Sequence, residues 1–97
     1  MATESELLQA VGKERRAKYA VDDAWLELAP AKYVMDHMPS DANRKRLDKR
    51  IRVYVNKLNA YKKTLLSVKN ILPPQLYQSL WNSLPTLSAA YRLVNPK

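Results

Sequence analysis

The sequence predicts an all-α protein, and three observations carry that prediction. One glycine in 97 residues leaves little material for hairpin turns, whereas Leu, Ala, Lys and Arg are abundant and favour helix. Apolar residues recur at helical spacing without a break from Leu47 to Leu72. Prolines frame that run, with Pro39 before it and Pro73-Pro74 after it. The expected architecture is an antiparallel hairpin of two long helices plus one or two short C-terminal helices, with two hairpins dimerising into a four-helix bundle. The chain is read as one domain, 1–97, small enough that a partner helps to bury its apolar surface.

The first helix is expected over about residues 4–28. Thr3 followed three residues later by Glu6 fits a capping box, in which each side chain satisfies a free backbone N–H of the first turn. Leu7, Val11, Val21, Trp25 and Leu28 share one face, with Leu8, Tyr19 and Leu26 on its flank. The basic insert Lys13, Arg15, Arg16, Lys18 interrupts the pattern, and Gly12 weakens the same place by ~1 kcal/mol relative to alanine. Pro30 lacks an N–H and collides with the preceding turn, so a break there and a short helix over 30–37 are expected. Met38-Pro39-Ser40-Asp41 is the turn, and Ser40 or Asp41 starts the next helix.

That second helix, about 41–71, carries a heptad seam: Leu47, Ile51, Tyr54, Leu58, Tyr61, Leu65, Val68 and Leu72 alternate four-residue and three-residue steps. Tyr54 and Tyr61 are read as core or interface residues whose hydroxyls reach the rim. A parallel pairing through the seam would set Lys57 against Lys62 of the partner, which opposes a simple zipper. Val53, Val55, Leu66 and Ile71 widen the apolar face beyond one seam, which is the reason for expecting two hairpins to close together. After Pro73-Pro74, Leu76, Tyr77, Leu80, Trp81 and Leu84 suit a short amphipathic helix over about 74–84; a last one is expected over 86–94, with Asn95-Pro96-Lys97 fraying.

The charge belongs to the same long helix. Between Asp41 and Asn70 ten basic residues stand against two acidic ones, a balance of +8, which equals the net charge of the chain. Arg46, Lys49, Arg50, Lys57 and Lys63 share a polar arc, with Asn56, Thr64 and Ser67 interleaved, over ~25 Å of helix axis. A mixed-charge helix is ordinarily a solvated face. Here the charges are of one sign and repel one another, so a polyanion is the natural counterpart, in keeping with a pI near 9.9.

Other chemistry finds little support. No glycine-rich phosphate loop exists, and the single histidine, His37, stands beside a turn proline as an ordinary surface residue. Asp22-Asp23 are adjacent and point to different parts of a helix surface. Absence of cysteine excludes disulfides and thiolate metal sites. We therefore expect no enzyme activity, no catalytic residues, no metal, no cofactor and no small-molecule substrate. The acidic N-terminus lacks the pattern of a signal peptide, and no apolar run approaches a membrane span, which suggests a cytoplasmic location.

A-form RNA offers a wide, shallow minor groove lined with 2′-hydroxyls, which suits a straight helix bearing Lys and Arg interleaved with Asn, Thr and Ser. The spacing of a DNA-reading helix-turn-helix is missing. The function read from these residues is sequence-independent binding of double-stranded RNA through Arg46, Lys49, Arg50, Asn56, Lys57 and Lys63. The alternative is a helical protein-interaction module, an immunity-protein-like bundle or viral structural subunit, that uses its basic helix against an acidic partner.

Over about residues 39–80 the chain resembles the small double-stranded-RNA-binding silencing suppressors of insect nodaviruses. The resemblance lies in Pro39 through the Arg44-Lys45-Arg46-Leu47-Asp48 opening, the Val55-Asn56-Lys57 step, and Pro73 followed by a short apolar helix. It implies an antiparallel homodimer forming a four-helix bundle along one face of an RNA duplex, in a viral protein that hides duplex RNA from the silencing machinery in the host cytoplasm. By the same resemblance Arg46 and Lys57, then Lys63, are the leading RNA contacts. Tyr54 departs from the smaller residue the family pattern implies, which argues against a backbone contact there.

Overall fold

A computed structural model describes residues 3–84, and these form three helices and no strand. Helix α1 spans Glu4–His37, α2 spans Asp41–Ser67 and α3 spans Pro74–Asn82. The two long helices pack against each other along their length as an antiparallel hairpin, joined by only three residues. The helix expected over 86–94 and the frayed end at 95–97 lie outside the described residues.

α1 begins where its capping box puts it. The Glu6 amide donates to the Thr3 hydroxyl at 3.1 Å, and the Thr3 amide donates to Glu6 Oε1 at 3.2 Å. Neither Gly12 nor the basic insert breaks the helix, and Pro30 does not end it: the two helices expected over 4–28 and 30–37 are one helix of 34 residues. Placement explains the tolerance. Pro30 is exposed, and the carbonyl it leaves without a donor, four residues back, belongs to exposed Leu26, where water can serve it. On the inner side, Leu28 and Ala31 are buried against the core and hold the helix across the proline. A proline costs ~3 kcal/mol in a helix interior; full burial of Leu28 alone offsets ~1.5–3 kcal/mol of it.

Ser40 caps α2 by accepting from the Asn43 amide at 3.1 Å, and the Asn43 side chain donates back to the Met38 carbonyl at 2.6 Å. These bonds tie down both sides of the turn. α2 stops at Ser67, four residues before the expected end at about 71. Two prolines in succession cannot donate to the carbonyls of residues 69 and 70, and Leu72, preceding Pro73, is pushed away from helical geometry. The chain tightens into a turn in which the Ile71 and Leu72 amides both donate to the Val68 carbonyl, at 3.1 and 3.0 Å. Val68 and Leu72 nevertheless stay in the core. Pro74 is the first residue of α3, which ends at Asn82, two residues short of expectation.

The core interlocks large residues of α2 with small ones of α1. Leu47, Tyr54, Tyr61 and Leu65 face Ala10, Val21, Ala24, Leu28 and Ala31, and Leu58 is buried on the same side of α2. The Trp25 and Tyr54 rings meet at 5.6 Å, tilted by 55°. Alanine lets two long helices approach closely, and tyrosine fills the space that a small residue leaves. Leu7, Val11 and Trp25, expected on the inner face of α1, are half-buried at its edges. Leu8, Tyr19 and Leu26, expected on the flank of that face, are strongly exposed instead.

Candidate nucleic-acid interface

The buried seam sets the inward direction of α2, so the outward direction can be read from helix geometry. Lys45, Lys49, Arg52, Asn56, Asn59, Lys63 and Ser67 follow one another at steps of four, three, four, three, four and four residues, and each is exposed. Their row lies about 180° around the helix from the seam, and Lys45 to Lys63 covers ~27 Å of axis. Among the described residues, Lys45, Lys49, Arg52 and Lys63 take part in no ion pair. Like charges three or four residues apart destabilise a helix by ~0.2–0.5 kcal/mol each. The row is therefore a standing electrostatic cost that an anionic surface would relieve.

The seam residues Leu47, Tyr54, Leu58, Tyr61, Leu65 and Val68 are buried within a single chain, and Ile51 is half-buried. Val53, Val55 and Ile71 are half-buried as well, so α1 covers most of the surface that had seemed to need a second hairpin; only Leu66, at 54%, is strongly exposed.

Of the residues assigned to RNA, Lys49, Asn56 and Lys63 belong to the outward row. Arg46 and Lys57 are exposed about a quarter-turn to one side, where Lys57 borders a shallow groove together with Asp23 and Glu27 of α1. Arg50 is engaged differently from the others. Its guanidinium meets Glu27 of α1 at 2.6 Å, an inter-helix ion pair, so its charge is already partnered. Lys45, Arg52 and Asn59, outside that assignment, share the row, and the sequence carries the signal: they complete a second four-three ladder, polar and in antiphase with the apolar one.

Burial perturbs three ionisable groups on the inner faces. Glu14 of α1 is only 8% exposed, and burial raises its carboxyl pKa above the ordinary 4.5, with Arg15 and Lys18 pulling the other way. Tyr61 is fully buried, and its phenol is pushed up to about 12 by burial first and by the charges of Glu14 and Asp22 second. The Tyr54 phenol is raised by burial and then by Asp22. Both tyrosines are core residues as expected, but the Tyr61 hydroxyl does not reach the rim: it and one Glu14 carboxylate oxygen are buried with no hydrogen-bond partner among the described residues. These groups belong to the core and not to an exposed site. Among the described residues no three His, Asp or Glu side chains gather as metal ligands would, and no helix is long and apolar enough to cross a membrane.

A second surface lies on the back of α1. Leu8, Tyr19, Leu26 and Tyr33 are each more than 60% exposed. At 100° per residue they fall within about 40° of one another, roughly opposite the buried face of the same helix. Arg15 and Arg16 flank the stripe before its midpoint, Asp22 and Asp23 after it, and all four are exposed, Asp22 with an exposed i,i+4 ion pair to Lys18 at 2.9 Å. The basic insert thus lies on α1, apart from the cationic row of α2.

Compared with known proteins, the chain matches no family model, no curated protein and no solved structure.

Proposed function

We propose that this protein is a non-enzymatic, sequence-independent binder of double-stranded RNA that works through the outward face of α2. The observation carrying this reading is the row Lys45, Lys49, Arg52, Lys63: one sign of charge, exposed, without ion pairs among the described residues, and interleaved with Asn56 and Asn59. Cations neutralise phosphates; amides serve the 2′-hydroxyls of a minor groove. The nodavirus resemblance supports the biological side of the proposal, a viral protein that shields duplex RNA from host silencing in the cytoplasm.

A gel shift with duplex RNA, duplex DNA and single strands at two ionic strengths tests the proposal. Duplex RNA should bind best, with an affinity that falls steeply with salt as condensed counterions are released. Equal binding to all three, or none, rejects it.

Homodimerisation belongs to the same reading, and the back of α1 supports it better than the seam does. An antiparallel pairing centred near Ala20 would bring Leu8 to Tyr33 of the second copy and the arginine pair to the aspartate pair, at both ends of a two-fold contact. Sedimentation of two charge variants checks this arrangement. Arg15→Glu with Arg16→Glu, and separately Asp22→Lys with Asp23→Lys, should each give monomers, and mixing the two variants should restore a dimer. A wild-type monomer, or two variants that dimerise as well as wild type, excludes it.

A further inference from the structure

Where α2 ends, the turn at 68–73 and helix α3 enclose an open groove of about 760 Å³. Its walls include Leu66, Lys69, Asn70, Tyr77, Gln78 and Trp81. Pro73-Pro74 sets the start of α3, and the four-residue step from Tyr77 to Trp81 then puts both rings on the same side of it. Their centroids are 6.0 Å apart with planes inclined by 21°, so they form a short aromatic stack. Lys69 Nζ stands 5.9 Å from the centre of the Tyr77 ring. Trp81 remains 37% exposed, and Leu66 opposite more so. Indole is costly to leave in water, and among the described residues Trp81 is not one of those packed against the core.

We infer that this groove takes an unpaired nucleotide of an RNA strand, its base stacked on the Trp81–Tyr77 pair and its phosphate held by Lys69. The inference rests on the duplex-RNA reading of α2 and extends it to the end of the duplex. Three features select this occupant. The volume lies in the range of small-ligand pockets and is large enough to admit a nucleotide. Aromatic rings beside a cation are the combination that holds single-stranded nucleic acid, since every base offers a π-face and every nucleotide a charge. The location is close to the cationic row: Lys69 stands in the turn two residues beyond Ser67, the last residue of α2. An apolar protein helix would fill the Leu66 side but would leave Lys69 without a counter-charge. The side chain of Gln78 donates to Asn82 Oδ1 at 3.0 Å, which leaves its carbonyl to accept from a base edge.

The test uses the full chain and two RNA duplexes of equal paired length, one blunt and one with two-nucleotide 3′ overhangs carrying 2-aminopurine, whose fluorescence falls on stacking. The overhang duplex should bind about tenfold more tightly than the blunt one, with its probe quenched at least twofold. Trp81→Ala should abolish both differences while leaving blunt-duplex affinity and helix content unchanged; Trp81→Phe should restore much of them, and Lys69→Glu should remove the affinity difference by a route independent of ring packing. Equal affinities with an unquenched probe overturn the inference while the duplex reading stands. A labelled single-stranded trinucleotide separates the remaining cases: its quenching without any duplex binding keeps the groove and removes the duplex reading, and no response from any RNA removes both.

Discussion

The two long helices divide their residues in opposite ways. α2 turns tyrosine and leucine inward and lysine, arginine and asparagine outward, so its two faces differ sharply. α1 turns mainly small residues inward, Ala10, Ala24 and Ala31 among them, and presents Leu8, Tyr19, Leu26 and Tyr33 to the outside. The difference shows that residue size and residue exposure are separate variables in a two-helix core. The helix that supplies the filling needs a partner that supplies the space, and large apolar residues on the space-supplying helix are then free for another surface.

The largest expected effect contrasts a leucine from each helix. Leu65 is fully buried, whereas Leu26 is about two-thirds exposed. Leu65→Ala should cost ~2–5 kcal/mol of stability in urea unfolding. Leu26→Ala should change the monomer, measured at low protein concentration, by no more than ~0.5 kcal/mol. A large loss from Leu26→Ala at such dilution would mean that the outward stripe of α1 is part of the fold and not a free surface.

A smaller effect concerns the polar group that α1 buries. Glu14 sits against the core with one carboxylate oxygen unpartnered among the described residues, and its folded pKa is above the ordinary 4.5. The folded chain therefore holds the proton more tightly than the unfolded one. The contribution of this group to stability is fully present below pH 4.5 and is lost as pH rises through the folded value. Glutamine keeps the shape of the protonated form at every pH. Glu14→Gln should raise the neutral-pH stability, because no charge then has to be held against the core. Thermal melts should show that gain shrinking as pH falls toward 4.5. An equal gain at all pH values would place the benefit in packing and not in charge.

How much of this was legible in the residues follows from what each pattern measures. The Thr3–Glu6 box, the Ser40 cap and the α2 seam were readable because each is a local spacing rule with one physical meaning. Pro30 was misread because its cost depends on which carbonyl it orphans; that Leu26 faces water is a tertiary fact. Leu8, Tyr19 and Leu26, expected on the flank of the inner face, point outward because small residues, alanine above all, mark the inside of α1, and a size-based apolar pattern does not show this. On α2, the phase of the apolar ladder puts Lys49, Asn56 and Lys63 on the outward face, and the same phase puts Lys45, Arg52 and Asn59 there too. No spacing rule reveals Arg50's partner, since Glu27 is 23 residues away and on another helix.

That last case yields the smallest and most discriminating comparison, between two arginines on one turn of α2. Arg50 is paired with Glu27, and both side chains are substantially exposed. Surface pairs of this kind contribute ~0.2–1 kcal/mol, so Arg50→Ala should lower stability slightly. Because its charge is already partnered, the same variant should have little effect on RNA affinity. Arg52 is exposed in the outward row with no ion pair among the described residues. Arg52→Ala should leave stability unchanged or slightly improved by relief of repulsion. It should weaken RNA binding and flatten the slope of log affinity against log salt by about one. Fluorescence anisotropy across a salt series, beside urea melts of both variants, measures all four quantities. If Arg50→Ala flattened the slope and Arg52→Ala did not, the ion pair would have to open on binding, and the interface would lie on the Glu27 side of α2 and not on the row opposite the core.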